Sequence, residues 1–173
     1  MEKERLREIQ APIKAQYIDD PGSASVTLRA TGDLGKGIAC KVKTASALAE
    51  AGLHLASGGD GTQLCSGDML LEALVACAGV TLAAVSTALG ISLRGAKVNA
   101  EGELDFRGTL AITKEVPVGL NNIRLTFTLD TDASKESIDK LIELTERYCV
   151  VLQTIKHSPH IAVTSELTFK EET

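Results

Sequence analysis

The sequence predicts an α+β protein, mostly antiparallel sheet around two long helices, and three patterns carry the prediction. Short alternating segments occupy residues 13–44 and return after residue 97. One uninterrupted helical run, Ser66 to Gly90, is almost wholly apolar or small. A second helical stretch after Asp132 is apolar on one stripe and charged on the other. With 173 residues the chain is read as a single domain spanning 1–173, long enough to bury a sizeable core.

Taken in order, Ile13–Ile18 and Ala24–Thr31 read as strands separated by the turn Asp19-Asp20-Pro21-Gly22. In the second of them Ser25, Thr27 and Arg29 alternate with Val26, Leu28 and Ala30. Asp33-Leu34-Gly35-Lys36-Gly37 makes another turn, and Ile38–Thr44 completes an antiparallel meander. Ala45–Ala51 reads as one or two helical turns, and Ser57–Gly61 as loop. The central helix follows over residues 66–90, with Ser66 and Asp68 as capping residues and Gly90 as its stop. Lys97–Asp105 alternates as a strand, Gly108–Thr113 is a candidate partner, and Asn121-Asn122 turns into Ile123–Asp130. Asp132 and Ser134 cap the second helix, whose inward stripe runs Ile138, Leu141, Ile142, Thr145, Tyr148, Cys149 and Leu152. Ile161–Phe169 closes the chain as a strand within residues 97–169.

A helix apolar on every face needs two covers, and one small sheet supplies one. The expected second cover is another copy of the chain, in an intimate homodimer.

Composition narrows the function. The chain is 44% hydrophobic and only 3% aromatic, has no Trp and carries a net charge of −5. It therefore lacks both the stacking platforms and the basic stripe that nucleic-acid binding uses. The N-terminus is charged rather than apolar, so no signal peptide is read. The 17-residue apolar run Ala73–Leu89 falls short of the roughly 20 residues of a membrane span. A cytoplasmic protein is expected, with Cys40, Cys65, Cys77 and Cys149 as free thiols. No C-x-x-C pair is present, His157 and His160 read as loop residues, and neither a metal nor a cofactor is expected.

Cys77 alone reads as core packing or as chemistry. Its company matters: Cys149, 72 residues on, also faces inward from a helix. Two such thiols can divide labour, one being oxidised to a sulfenic acid and the other resolving it to a disulfide.

The segment Leu70-Leu71-Glu72-Ala73-Leu74-Val75-Ala76-Cys77 resembles the central-helix signature of the OsmC/Ohr family. Glu146-Arg147-Tyr148-Cys149-Val150-Val151-Leu152-Gln153-Thr154 resembles that family's second-cysteine segment, and the likeness covers about residues 24–169. The resemblance implies an OsmC-like fold, an intertwined homodimer, and a thiol peroxidase that reduces organic hydroperoxides. It implies Cys77 as the attacking and Cys149 as the resolving cysteine, with a dithiol or a lipoylated protein as reductant. It further implies an Arg that steadies the thiolate and a Glu ten residues before the cysteine. Arg29 is the default Arg, being alone between Arg7 and Arg94; Gly67 stands at the Glu position, and Asp68 is the nearest carboxylate, with Glu72 as an alternative. Val150 replaces the Pro that follows the second cysteine in many relatives. The competing reading is a non-catalytic OsmC-like dimer that binds a small apolar ligand between its helices.

Overall fold

The computed structural model describes residues 2–24, 31–34, 39–43 and 48–167. It opens with α1, Lys3–Asp19, where the sequence predicted the strand Ile13–Ile18. The apolar residues of this segment, Leu6, Ile9, Ile13 and Tyr17, recur at three- and four-residue steps among strong helix formers. Six residues were too short a window to reveal that period. No residue of α1 is buried.

Four strands then form one sheet in chain order: β1 (Thr31–Leu34), β2 (Ala39–Lys43), β3 (Leu48–Gly52) and β4 (Leu64–Cys65). The first three pair antiparallel, and β4 joins β3 in parallel. The predicted meander is present but shifted. Thr31 begins β1 rather than ending a strand, and residues 25–30 of the expected strand Ala24–Thr31 lie outside the described residues. Asp33 and Leu34, expected in a turn, pair with Lys41 and Cys40. Of the expected helical turns at Ala45–Ala51, residues 45–47 lie outside the described residues and the remainder is corrected, because Leu48–Gly52 is strand. Its pairing along all of β2, from Lys43↔Leu48 to Ala39↔Gly52, overrides the helix preference of Leu, Ala and Glu.

The central helix α2 spans Ser66–Leu89. Cys65 occupies the N-cap position and makes no side-chain cap bond, so Ser66 is the first helical residue and not the cap. Gly90 ends the helix at φ 71°, in the left-handed region, and its N–H donates to the carbonyls of Ser86 and Thr87. Within one chain α2 buries a single stripe, Leu74, Ala78, Leu82 and Ser86, at strict four-residue spacing. The expected burial on every face is absent: Val80, at mid-helix, is 73% exposed.

That stripe meets a hairpin and two helices. β5 (Gly95–Leu104) and β6 (Leu120–Asp130) pair antiparallel, with Val98 opposite Phe127 and Ala100 opposite Leu125. Alternate side chains of both strands turn inward, as the sequence pattern required. The candidate strand Gly108–Thr113 is not formed. A short helix α3, Phe106–Thr109, starts there because the Asp105 carboxylate accepts the Arg107 N–H at 3.0 Å. Asn121 and Asn122 lie inside β6 rather than before it, opposite a register shift at Glu101–Glu103.

Helix α4, Lys135–Tyr148, begins where the Ser134 hydroxyl oxygen accepts the Ser137 N–H at 3.3 Å. After Cys149 the chain re-enters helix as α5, Val150–Lys156. Leu141, Thr145 and Cys149 are buried along this corner, whereas Tyr148, expected on the same stripe, is 58% exposed. The closing strand is another correction: residues 158–167 carry no regular structure, and 168–169 lie outside the described residues. Their alternation survives with Ile161, Val163 and Leu167 all exposed. A strand needs a neighbouring edge, which alternation alone does not provide.

The core therefore sits between α2 and its covers, with Leu74, Ala78 and Cys149 at its centre and Val98, Leu125 and Phe127 packed against them. Leu141, fully buried on α4, tests this packing. Leu141→Ala is expected to cost about 2–5 kcal/mol of stability, read as a lower urea midpoint with an unchanged slope.

Candidate functional site: two thiols at a helix corner

Cys77 lies on α2 one residue before the buried Ala78 and is half-buried, while Cys149 is 0% exposed. Cys149 owes its position to backbone geometry. It is at once the C-cap of α4 and the N-cap of α5, with extended dihedrals of φ −72° and ψ 104°. Its N–H donates to the Thr145 carbonyl at 3.0 Å, and its carbonyl accepts the Gln153 N–H at 2.9 Å. The chain turns at this residue, and the helical hydrogen-bond ladder is interrupted just after it. The next two N–H groups, on Val150 and Val151, are left free of helical partners by the start of α5.

Both N–H groups lie close enough to Cys77 to act on its thiol. Burial pushes its thiol up, but the Val151 N–H, the Cys149 thiol, the Val150 N–H and the Thr81 hydroxyl all favour the thiolate and together hold it below the ordinary thiol value. Cys149 moves the other way: burial raises it, and the neighbouring Cys77 charge raises it further, against the Leu152 and Val151 N–H groups. The two thiols are thus tuned in opposite directions, so that Cys77 is the first of the pair to ionise and Cys149 keeps its proton to higher pH. This is the division that a nucleophile and a resolving thiol require.

The stability consequences have opposite signs. Cys77, lowered on folding, adds stability that is present above the ordinary thiol value and lost as pH falls through its depressed value. Cys149, raised on folding, adds stability that is present below the ordinary value and lost as pH rises toward its elevated one. In reactivity the two separate. With iodoacetamide, Cys77 is expected to alkylate first, at a midpoint below that of a free thiol, and Cys149 only at higher pH, as peptide mapping across a pH series would show.

Thr81 is a residue that sequence reading missed. It stands one turn after Cys77, and its hydroxyl donates its single hydrogen to the Cys77 carbonyl at 2.8 Å, so it steadies the thiolate only when that hydrogen turns to the sulfur. The legible signal was a hydroxyl at four-residue spacing from a helical cysteine. A neutral hydrogen bond nets about 0.5–1.5 kcal/mol, so Thr81→Val is expected to slow Cys77 alkylation at neutral pH by about 2- to 10-fold.

The other expected site residues lie elsewhere. Arg29 is outside the described residues. Asp68 is exposed in the first turn of α2, nine residues before Cys77, which places it on the opposite face about 14 Å along the axis. With Glu72, Leu71, Val75, Ala76 and Ala100 it lines a groove of about 440 Å³ that does not include either thiol. Neither carboxylate is among the groups that act on Cys77. Cys65 lines a separate cavity of about 230 Å³ with His54, whose ring stacks on Phe106 at 5.0 Å. Cys40 lies in β2. Among the described residues no group of His, Cys, Asp or Glu is arranged to hold a metal ion.

An α+β chain with a paired, oppositely tuned dithiol between its central helix and a helix corner defines a class of thiol protein. The family is settled by comparison: residues 59–164 match the model of the OsmC-like protein family, and the chain belongs to that family. The chain has the OsmC-like fold. It superposes on an OsmC-like protein from Mycoplasma pneumoniae with a TM-score of 0.64 and 16% identity, over 78% of this chain and 90% of that one. An organic hydroperoxide resistance protein from Elizabethkingia anophelis gives 0.61 and 16%, over 78% and 91%. An organic hydroperoxide resistance protein OsmC from Legionella pneumophila, also described as a predicted redox protein, gives 0.59 and 16%, over 76% and 90%. A search of curated proteins finds no match. By length and composition α2 is the one helix among the described residues that is apolar enough to cross a membrane; in this fold it packs on β5, α4 and α5.

Proposed function

We propose that this protein is a cytoplasmic thiol peroxidase that reduces organic hydroperoxides and works as a homodimer. The observation that carries the reading is the packing of Cys77 on α2 against the buried Cys149 at the α4–α5 corner, where their surroundings push the two thiols in opposite directions. The Cys77 thiolate attacks the terminal peroxide oxygen, the O–O bond breaks, and the alkoxide leaves as alcohol after taking a proton. Cys77 is left as a sulfenic acid. Cys149 gives up its proton and attacks the Cys77 sulfur, expelling water and forming the disulfide. A dithiol, free or carried as a lipoyl group on a protein, supplies two electrons to restore both thiols. The aliphatic surroundings of the pair, Leu74, Ala78, Val151 and Leu152, favour an alkyl or lipid hydroperoxide over hydrogen peroxide.

Exposed apolar surface on the described elements supports the dimer. The open face of α2 and the alternating residues 161–167 are apolar surfaces of the kind a second copy covers.

A non-catalytic dimer that binds a small apolar ligand is the second reading, favoured by the distance of Asp68 from the thiols and by donors to Cys77 that are all uncharged. Turnover separates the two. With excess dithiothreitol, cumene hydroperoxide is expected to be consumed at least about tenfold faster than hydrogen peroxide. Saturable binding of an apolar dye with no peroxide consumption would establish the second reading.

A further inference from the structure

We propose that the reductant enters the cycle at Cys77, so that the mixed disulfide of the reductive half-reaction forms on the same sulfur that attacked the peroxide. This inference rests on the peroxidase reading above. Two sulfurs of the disulfide are open to attack in principle, and leaving-group chemistry and access point to different ones. Attack on Cys149 would release Cys77, the better-stabilised thiolate and so the faster leaving group.

Access decides against it. Cys149 is 0% exposed, seated beneath Leu74 and Ala78 of α2 and fixed by hydrogen bonds on both sides of the α4–α5 corner. An incoming sulfur must reach the S–S bond along its axis, and for Cys149 that path runs through packed core. Cys77 is half-buried where α2 packs on the α4–α5 corner. Val150, whose N–H faces Cys77, is itself 67% exposed at that corner.

The step balances. One thiolate of the dithiol attacks Sγ of Cys77, the Cys77–Cys149 bond breaks, and Cys149 leaves as a thiolate that takes up a proton. The second thiol of the reductant then attacks the first reductant sulfur, loses its proton and forms the cyclic disulfide, while Cys77 departs as the thiolate ready for the next peroxide. The reductant gives two electrons and the protein disulfide accepts them.

The test uses the full-length protein. One equivalent of cumene hydroperoxide is added, and the Cys77–Cys149 linked peptide is verified by mass. A brief pulse of glutathione, a monothiol that cannot complete the cyclisation step, is then quenched with acid and N-ethylmaleimide and mapped. The expected result is glutathione on Cys77 and N-ethylmaleimide on Cys149 in most adducts. Glutathione on Cys149 in half of the adducts or more overturns the proposal. Absence of the linked peptide before the pulse refutes instead the peroxidase reading on which it rests. Trp at position 150 supplies a second readout: Val150→Trp, which crowds the corner, is expected to slow reduction of the preformed disulfide by glutathione at least about tenfold, and an unchanged rate counts against entry at Cys77.

Discussion

Cys77→Ser is expected to abolish peroxide consumption, leaving only the rate of the uncatalysed reaction. Serine keeps the shape and sits on a helix that remains buried on its Leu74, Ala78, Leu82 stripe, so the fold persists. What is lost is the nucleophile: a hydroxyl cannot ionise under the pull of the Val150 and Val151 N–H groups as a thiol does. Cys149→Ser is expected to behave differently. The serine oxygen can still sit at the α4–α5 corner, and the backbone bonds of residue 149 to Thr145 and Gln153 do not depend on its side chain. This variant is expected to consume one equivalent of peroxide and stop as a Cys77 sulfenic acid, which dimedone traps as a stable adduct. Further peroxide then drives it to the sulfinic state and inactivity. Stopped-flow peroxide consumption and intact mass distinguish the two variants. Equal activity in Cys77→Ser and wild type would remove Cys77 from the chemistry.

In the homodimer proposed above, Val80→Arg is expected to leave the chain monomeric. Val80 is 73% exposed at the middle of an otherwise apolar helix, the kind of position that becomes the centre of a self-interface. Because a symmetric contact repeats the patch, the substitution would put a cation into the apolar surface of both copies. A central interface residue costs at least about 2 kcal/mol when lost, so association is expected to weaken at least about 30-fold. Sedimentation at micromolar concentration reads this directly. A wild-type chain that sediments at 18.2 kDa contradicts the dimer whatever the variant does.

How much of this was legible in the sequence varied with the length of the pattern. The run Ser66–Leu89 announced its helix through composition alone, and Gly90 announced its end, because both signals are local. The period-two runs in β5 and β6 were likewise local, and Ile123, Leu125 and Phe127 share the inward face that their spacing required. Errors came where tertiary pairing decides. Leu48–Gly52 has helical composition and becomes strand because β2 lies beside it. Ile161–Leu167 has strand composition and stays irregular in the single chain. In the site, two inward stripes allowed Cys77 and Cys149 to meet but did not require it. The corner at Cys149 did not, since no Pro or Gly marks it and α5 resumes at once with Val150. The thiolate donors were therefore invisible: Val150 and Val151 act through backbone N–H groups, which every residue except proline carries. The family resemblance pointed instead to Asp68, the carboxylate nearest the implied Glu position, which lies on the far face of α2.

The most direct test of the account is the state of the thiols after one equivalent of cumene hydroperoxide. Under denaturing conditions the reduced protein should titrate as four thiols, since the chain has four cysteines. After oxidation the account predicts two, with an intact mass two hydrogens lighter and a single linked peptide joining Cys77 to Cys149. Retention of all four thiols, or a linkage through Cys40 or Cys65 instead, would contradict it.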